Sequence, residues 1–324
     1  MRAKKYITII ACLLFLSIVI AQSNPARIYH GIIIEPSINI LEADPGQTIN
    51  GKVKLTNDFQ NSGTVKYYPY IVNFRQKGET GMAELYKPEN TDFNKNAASW
   101  VSFAEQDYSI KFGETVESNY SIKVPKDAVN GGYYIVLVYS QNNNQPQTGN
   151  ITVGQEIGSL MFITIKGDNI EDTEFVDFYP GQVLFEMPPL DMFIRIKNAG
   201  NVHSTIGGNI FIHQGDISKP KATLEINPDN LLTLPGSTRV YSNRESKGFI
   251  SFENNSFKIN WGDTFYFGEY TATMKLRHMV NNQKVTTEKE IKFWVIPWKL
   301  ILIVAIMIGG CIFAYFKLKS HKSA

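Results

Sequence analysis

"VPKDAVNGGYY", Val124 to Tyr134, joins two runs of alternating apolar residues, and the fold turns on how this joint is read. Pro125 closes one strand because its ring fixes φ and removes a donor. Gly131 and Gly132 free the backbone to reverse. A tyrosine, Tyr133 or Tyr134, then opens the run "YYIVLVYS".

The layout of proline, paired glycines and tyrosine is similar to the tyrosine corner of immunoglobulin-like sandwiches, where a phenol bonds back to the connecting backbone. The plainer reading makes these tyrosines ordinary half-buried strand residues. "FGEY", Phe267 to Tyr270, offers a second instance. The flanking sequence is β throughout. "KVKLTN" (Lys52 to Asn57), "VESNYSIKV" (Val116 to Val124) and "YTATMKLR" (Tyr270 to Arg277) alternate strictly, which puts Val53, Leu55, Tyr120, Ile122, Met274 and Leu276 on buried faces. "DPGQ" (Asp44 to Gln47), "YPGQ" (Tyr179 to Gln182) and "LPGS" (Leu234 to Ser237) mark tight turns. Only "NAASWVSFAEQ", Asn96 to Gln106, invites a short helix.

The 324 residues leave room for roughly two domains once the ends are set aside. Arg2, Lys4 and Lys5 precede an apolar run, Ile7 to Ile20, and cleavage after Ala21 makes residues 1–21 a secretory signal peptide. A lipoprotein reading centred on Cys12 is weaker, because the apolar run continues well past that cysteine. Leu300 to Phe316 is uncharged over about 17 residues, the lower limit for a membrane helix. Trp294, Trp298 and Tyr315 suit the interfaces, and Lys317, Lys319 and Lys322 mark the cytoplasmic side. The expected topology is type I, with a transmembrane helix over residues 298–316 and a basic tail over 317–324.

The ends also distort the charge. Of 32 basic residues, three lie in the leader and four around the last segment, leaving 25 against 30 acidic ones. The body is therefore acidic and carries no basic patch, which excludes nucleic acid as a partner. Cys12 and Cys311 are the only cysteines, so the body is expected to hold together without disulfides. A soft duplication divides it into residues 27–166 and 167–296. The acidic stretch "GDNIEDTEFVD" (Gly167 to Asp177) reads as a solvated linker, since it lacks the spacing of a calcium loop. The predicted class is all-β: two immunoglobulin-like β-sandwich domains in tandem, between a signal peptide and one C-terminal transmembrane helix.

No HExxH, G-x-S-x-G or phosphate-cradling glycine loop occurs, and a thiol nucleophile is excluded from the body. The expectation is a non-enzyme without cofactor or metal. His30, His203, His213 and His278 are single. His203 and His213 lie ten residues apart across a hairpin, yet no ligand partner stands at metal spacing. His203 in "IRIKNAGNVHSTIGGNIFI" (Ile194 to Ile212) is thus read as a turn residue. Aromatic rings are the remaining signal. Tyr67, Tyr68, Tyr70 and Trp100 are the ligand-binding candidates, since flat rings stack on sugar faces; for Trp100 the competing reading is a core plug.

"IEPSINILEADPGQTINGKVKLTN", "VPKDAVNGGYYIVLVYS", "IRIKNAGNVHSTIGGNIFI" and "FWVIPWKL" together resemble the bacterial WxL-interacting proteins of the cell surface. The resemblance spans most of residues 28–316. It implies a peptidoglycan-associated immunoglobulin-like module, a second module facing partner or host proteins, and a C-terminal membrane anchor. "NNNQPQTGN" (Asn142 to Asn150) and much of the second half depart from that pattern. The expected function is adhesion or scaffolding at the cell envelope through wall polymer, secreted proteins or surface proteins. The alternative is a chaperone-like sandwich that offers a strand edge to exported subunits, and a hydrolase has almost no support.

Overall fold

The computed structural model describes residues 31–58, 63–86, 96–142, 156–186, 190–215, 218–245, 250–253, 256–259 and 267–320, with side chains undescribed at 244–259, 300 and 314–320. The expected leader with Cys12, His30 and the "NNNQPQTGN" segment beyond Asn142 lie outside these residues.

The first sandwich contains β1 (Ile32–Glu35), β2 (Ile38–Ala43), β3 (Thr48–Asn57), β4 (Thr64–Lys77) and β5 (Met82–Tyr86). These are followed by β6 (Val101–Phe103), β7 (Tyr108–Lys111), β8 (Thr115–Lys123), β9 (Gly131–Ser140) and β10 (Glu156–Ile165). One sheet has the order β1-β3-β8-β6 and the other β2-β10-β9-β4-β5, with β7 added to the start of β4. All pairs are antiparallel except β2 with β10. The chain crosses between the sheets at the cis Glu35–Pro36 bond.

Alternation places the core as expected: Val53, Leu55, Tyr120 and Ile122 face Ile135, Leu137, Met161 and Ile163. Each such aliphatic side chain contributes about 1.5–3 kcal/mol by leaving water. The expected helix is reduced to one 3₁₀ turn, Ala97–Trp100, after which the chain enters β6. Val101 and Phe103 are β formers that pair with Ile122 and Tyr120, and this pairing outweighs the weak helical preference of the preceding alanines. At the corner the structure selects Tyr133, whose phenol donates to the Val129 carbonyl at 3.0 Å.

The second sandwich contains β11 (Thr173–Pro180), β12 (Leu184–Phe185), β13 (Leu190–Asn198), β14 (Gly207–His213) and β15 (Ala222–Ile226). It continues with β16 (Thr238–Glu245), β17 (Ile250–Glu253), β18 (Ser256–Ile259), β19 (Gly268–Val280) and β20 (Gln283–Val295). Its sheets run β11-β13-β16 and β12-β20-β19-β14-β15, with β17 and β18 as a separate hairpin. Met192, Ile194, Ile210, Met274, Leu276 and Phe293 fill the space between them. Tyr270 of the second expected corner is buried and stacked on Phe293 at 5.8 Å, while the backbone joining β18 to that corner lies outside the described residues.

The joint between the sandwiches is short, since β10 ends at Ile165 and β11 begins at Thr173. It is also tied down. Asn201 accepts from the Ile170 amide at 2.8 Å, and Asn282 accepts from the Glu171 amide at 2.7 Å. Glu174 and Asp177 of the expected linker already belong to β11.

After β20 the chain enters helix α1, Trp298–Ser320, of 23 residues. Its described side chains end at Phe313, and among the described residues no helix is long and apolar enough to cross a membrane.

Candidate binding cleft at the domain junction

Strand β9 departs from alternation, because both of its faces are covered. Ile135, Leu137 and Tyr139 point into the first core, while Tyr134, Val136 and Val138 join a second apolar layer with Tyr70, Val72, Phe74, Leu160 and Phe162. Leu232 and Leu234 of the second sandwich complete that layer, so the two domains share a small core of their own.

At its centre Phe74, Tyr134 and Phe162 meet edge to face, with centroids 5.5 to 5.9 Å apart. The His203 ring lies across them, 6.0 Å from Tyr134 and 5.4 Å from Phe162. This qualifies the reading of His203 as a turn residue. Its backbone does lie in a loop, but the side chain is inserted into the junction, and Nδ1 is buried without a partner among the described residues. Burial pushes the imidazole pKa down, and the Glu42 carboxylate opposes that shift. A neutral ring therefore suits the junction.

Polar contacts hold the domains together on either side of this layer. The β4–β5 turn reaches the second sandwich, where Arg195 binds Glu79 through two nitrogens, one of them Nε at 2.8 Å. That guanidinium lowers the Glu79 carboxyl pKa. The Val240 amide donates to the Glu79 carbonyl at 2.9 Å, and the Gln76 amide donates to the Thr238 carbonyl at 2.6 Å. Gly81 is required here, since it has φ +74° and any Cβ would strike Arg239. On the other side, the Gly132 amide donates to the Asn201 carbonyl at 2.8 Å.

Between these contacts opens a cleft of about 480 Å³ whose lining includes Asn73, Tyr86, Asn130, Tyr133, Tyr134 and Asn201. Among the described residues no charged side chain lines it. Tyr86 ends β5 opposite Asn73, and the Arg75 guanidinium stands over its ring at 5.7 Å. Tyr133 is held by the corner bond and by Trp100, with centroids 4.6 Å apart. The Tyr134 hydroxyl is buried without a bond of good geometry, although the His203 backbone lies near it, and burial raises its pKa. The amides are partly used: Asn73 bonds Asn96 at 2.8 Å, and Asn130 bonds the Asp168 carbonyl at 2.9 Å. Rings with amide and phenol groups, and no formal charge, match a neutral polyhydroxylated ligand better than an ion.

The four rings expected to bind sugar do not converge. Tyr67 is 2% exposed and bonded by Gln141, and Trp100 is 4% exposed; both belong to the first core. Tyr70, 8% exposed, sits in the junction layer with its phenol 3.3 Å from Glu156. Only Tyr68 is half-open, with the Lys66 amine over its ring at 5.3 Å. Period two sends Tyr67 to one face of β4 and Tyr68 and Tyr70 to the other, so adjacent tyrosines cannot form one platform.

The histidines stay apart as well. His213 sits at the end of β14 near Phe211, and His278 joins the Thr173 carbonyl and the Thr287 hydroxyl at 2.8 Å each. Among the described residues no group of three histidine, cysteine or acidic side chains is placed to hold a metal.

No family model and no curated protein matches the chain. Solved structures similar to it include a class 5 fimbrial chaperone, CfaA, at 11% identity and TM-score 0.37, covering 80% of this chain and 98% of that one. The CupB2 chaperone of Pseudomonas aeruginosa is 7% identical with a TM-score of 0.35 over 80% of this chain and all of its own. The E. coli chaperone DraB is 7% identical with a TM-score of 0.33, over 80% and 99%. Likeness this distant carries no argument about function, and these neighbours are fimbrial chaperones rather than WxL-interacting proteins.

Proposed function

We propose that the chain is a non-enzymatic, membrane-tethered protein of the bacterial cell envelope that binds a neutral segment of wall glycan in the junction cleft. The observation that carries this reading is the cleft itself, where the Tyr86 and Tyr133 rings stand with asparagine amides in a lining that holds no charged side chain among the described residues. Rings give a sugar face something to stack on, and the polar groups give its hydroxyls partners. The tether in this reading is α1, whose uncharged stretch from Leu300 to Phe316 would span roughly 25 Å at 1.5 Å per residue. A body held beside the wall needs only weak affinity per site, because tethering raises the local concentration.

The test is co-sedimentation of the detergent-solubilised full chain with purified wall material. Binding is expected to change little with salt, since among the described residues no cation lines the cleft. Binding that collapses at high salt, or a chain that stays in the supernatant, refutes the proposal. Sodium carbonate extraction tests the tether: α1 should hold the chain in the membrane pellet.

A further inference from the structure

The surface that continues from the junction to the rim of the first sandwich points to a different ligand. We propose that the outer edge of β2 is a docking site for an extended segment of another polypeptide, taken up as an added strand. Strand β2 ends its sheet and pairs only with β10. The Ser37 and Ala43 carbonyls accept from the Leu160 and Lys166 amides of the β10 segment, at 2.8 and 2.9 Å. By the two-residue period of a strand, the backbone groups of Asn39 and Leu41 face the same way, and those of Ile38, Ile40 and Glu42 face outward. Among the described residues nothing pairs with them. This is an open ladder edge three residues long on its outward side, the feature that accepts an added strand.

The side chains on that edge are apolar where protection calls for charge. Ile38 and Ile40 are 49% and 59% exposed. They stand in register with Leu160 and Phe162, both part of the layer that the second sandwich covers. The apolar face thus runs from an interface already occupied within the chain to an edge with no cover. Three other edges are guarded: β11 carries a bulge between Phe175 and Asp177, β5 carries the Arg75–Glu84 ion pair, and β6 has three residues. Where β1 passes into β2, a groove of about 690 Å³ includes Ile33, Glu35, Pro36, Ile38, Lys52 and Lys54 in its lining. Lys52 is paired with Glu117 at 2.8 Å, and Glu35 stands in register with Lys54, so the charges beside the groove offset one another. The occupant these features fit is an extended, uncharged segment with apolar residues at alternate positions. A polypeptide fits and a glycan does not, because the open groups are main-chain donors and acceptors at strand spacing.

The probe is a fluorescein-labelled heptapeptide of alternating valine and threonine, titrated by anisotropy into the purified full chain. Saturable binding is expected, at least tenfold weaker in Ile40→Lys and in Ile40→Pro, which removes an outward N–H that no neighbour uses. Both variants should keep the parent melting temperature. Tyr86→Ala should bind the peptide like the parent, which separates this edge from the glycan cleft. No saturable binding, or equal affinity in Ile40→Lys, overturns the proposal. A dimer seen by sedimentation equilibrium that Ile40→Lys dissociates also overturns it, since a second copy would then be the occupant.

Discussion

Replacing Phe162 by alanine removes the ring around which the junction is built. Phe162 is 6% exposed and touches Phe74, Tyr134 and His203 at centroid distances of 5.4 to 5.6 Å. In a closed core the loss would be about 3–5 kcal/mol, counting transfer of the ring and the cavity left behind. Two of these three neighbours, Phe74 and Tyr134, belong to the same sandwich as Phe162 and only His203 to the other, so the coupling between domains carries a smaller part, about 0.5–3 kcal/mol for residues in contact. Calorimetry reads both quantities. The parent should unfold in one coupled transition, and Phe162→Ala should lower the first sandwich's transition and separate it from the second. A double-mutant cycle with Leu234→Ala then isolates the coupling, because Leu234 belongs to the second sandwich and shares the same layer. A parent that already shows two independent transitions, or a variant within about 0.5 kcal/mol of it, as for an ordinary surface change, refutes the account of the junction as a shared core.

His203 predicts a pH dependence with a definite sign. Its folded pKa lies below the ordinary 6.5, so the native state binds fewer protons than the unfolded one; stability is full above about 6.5 and falls as acid titrates the ring. The transition that reports the junction should weaken between neutral pH and pH 5, and His203→Phe should flatten that slope; an unchanged slope assigns it to other groups. Tyr133→Phe removes the corner bond to Val129 and should cost about 1 kcal/mol in urea unfolding. No loss there returns Tyr133 to the plainer reading of a half-buried strand residue.

The sandwiches were legible where one face of a strand is wet. In β3 and β13 buried residues alternate with open or half-open ones, and the sequence shows that period directly. The junction was not legible for the same reason. "YYIVLVYS" is apolar without a break because both faces of β9 are covered, and from the sequence alone that run is also what a deeply buried strand looks like. Read as a covered outer face, it would have pointed to a domain seated on β9. The histidine in the 199–206 loop gave no sign of its burial, because its neighbours are the asparagines and glycines of a turn and its ring contacts come from strands about 40 and 70 residues away. The ring candidates failed on strand geometry. "KYYPY" is dense in tyrosine, but alternation divides it between two faces, and the open rings of the cleft, Tyr86 and Tyr133, come from two separate strands.

Equilibrium binding of the full chain to purified peptidoglycan, compared with Tyr86→Ala, tests the proposed function most directly. If sugar stacking resembles aromatic pairing at about 0.5–1.5 kcal/mol per ring, the affinity should fall roughly two- to twelvefold in Tyr86→Ala, with the melting temperature unchanged. It should stay at the parent value in Tyr68→Ala, whose ring lies outside the cleft. Loss of binding in Tyr68→Ala with none in Tyr86→Ala, or a parent chain with no affinity for the wall, would contradict the account.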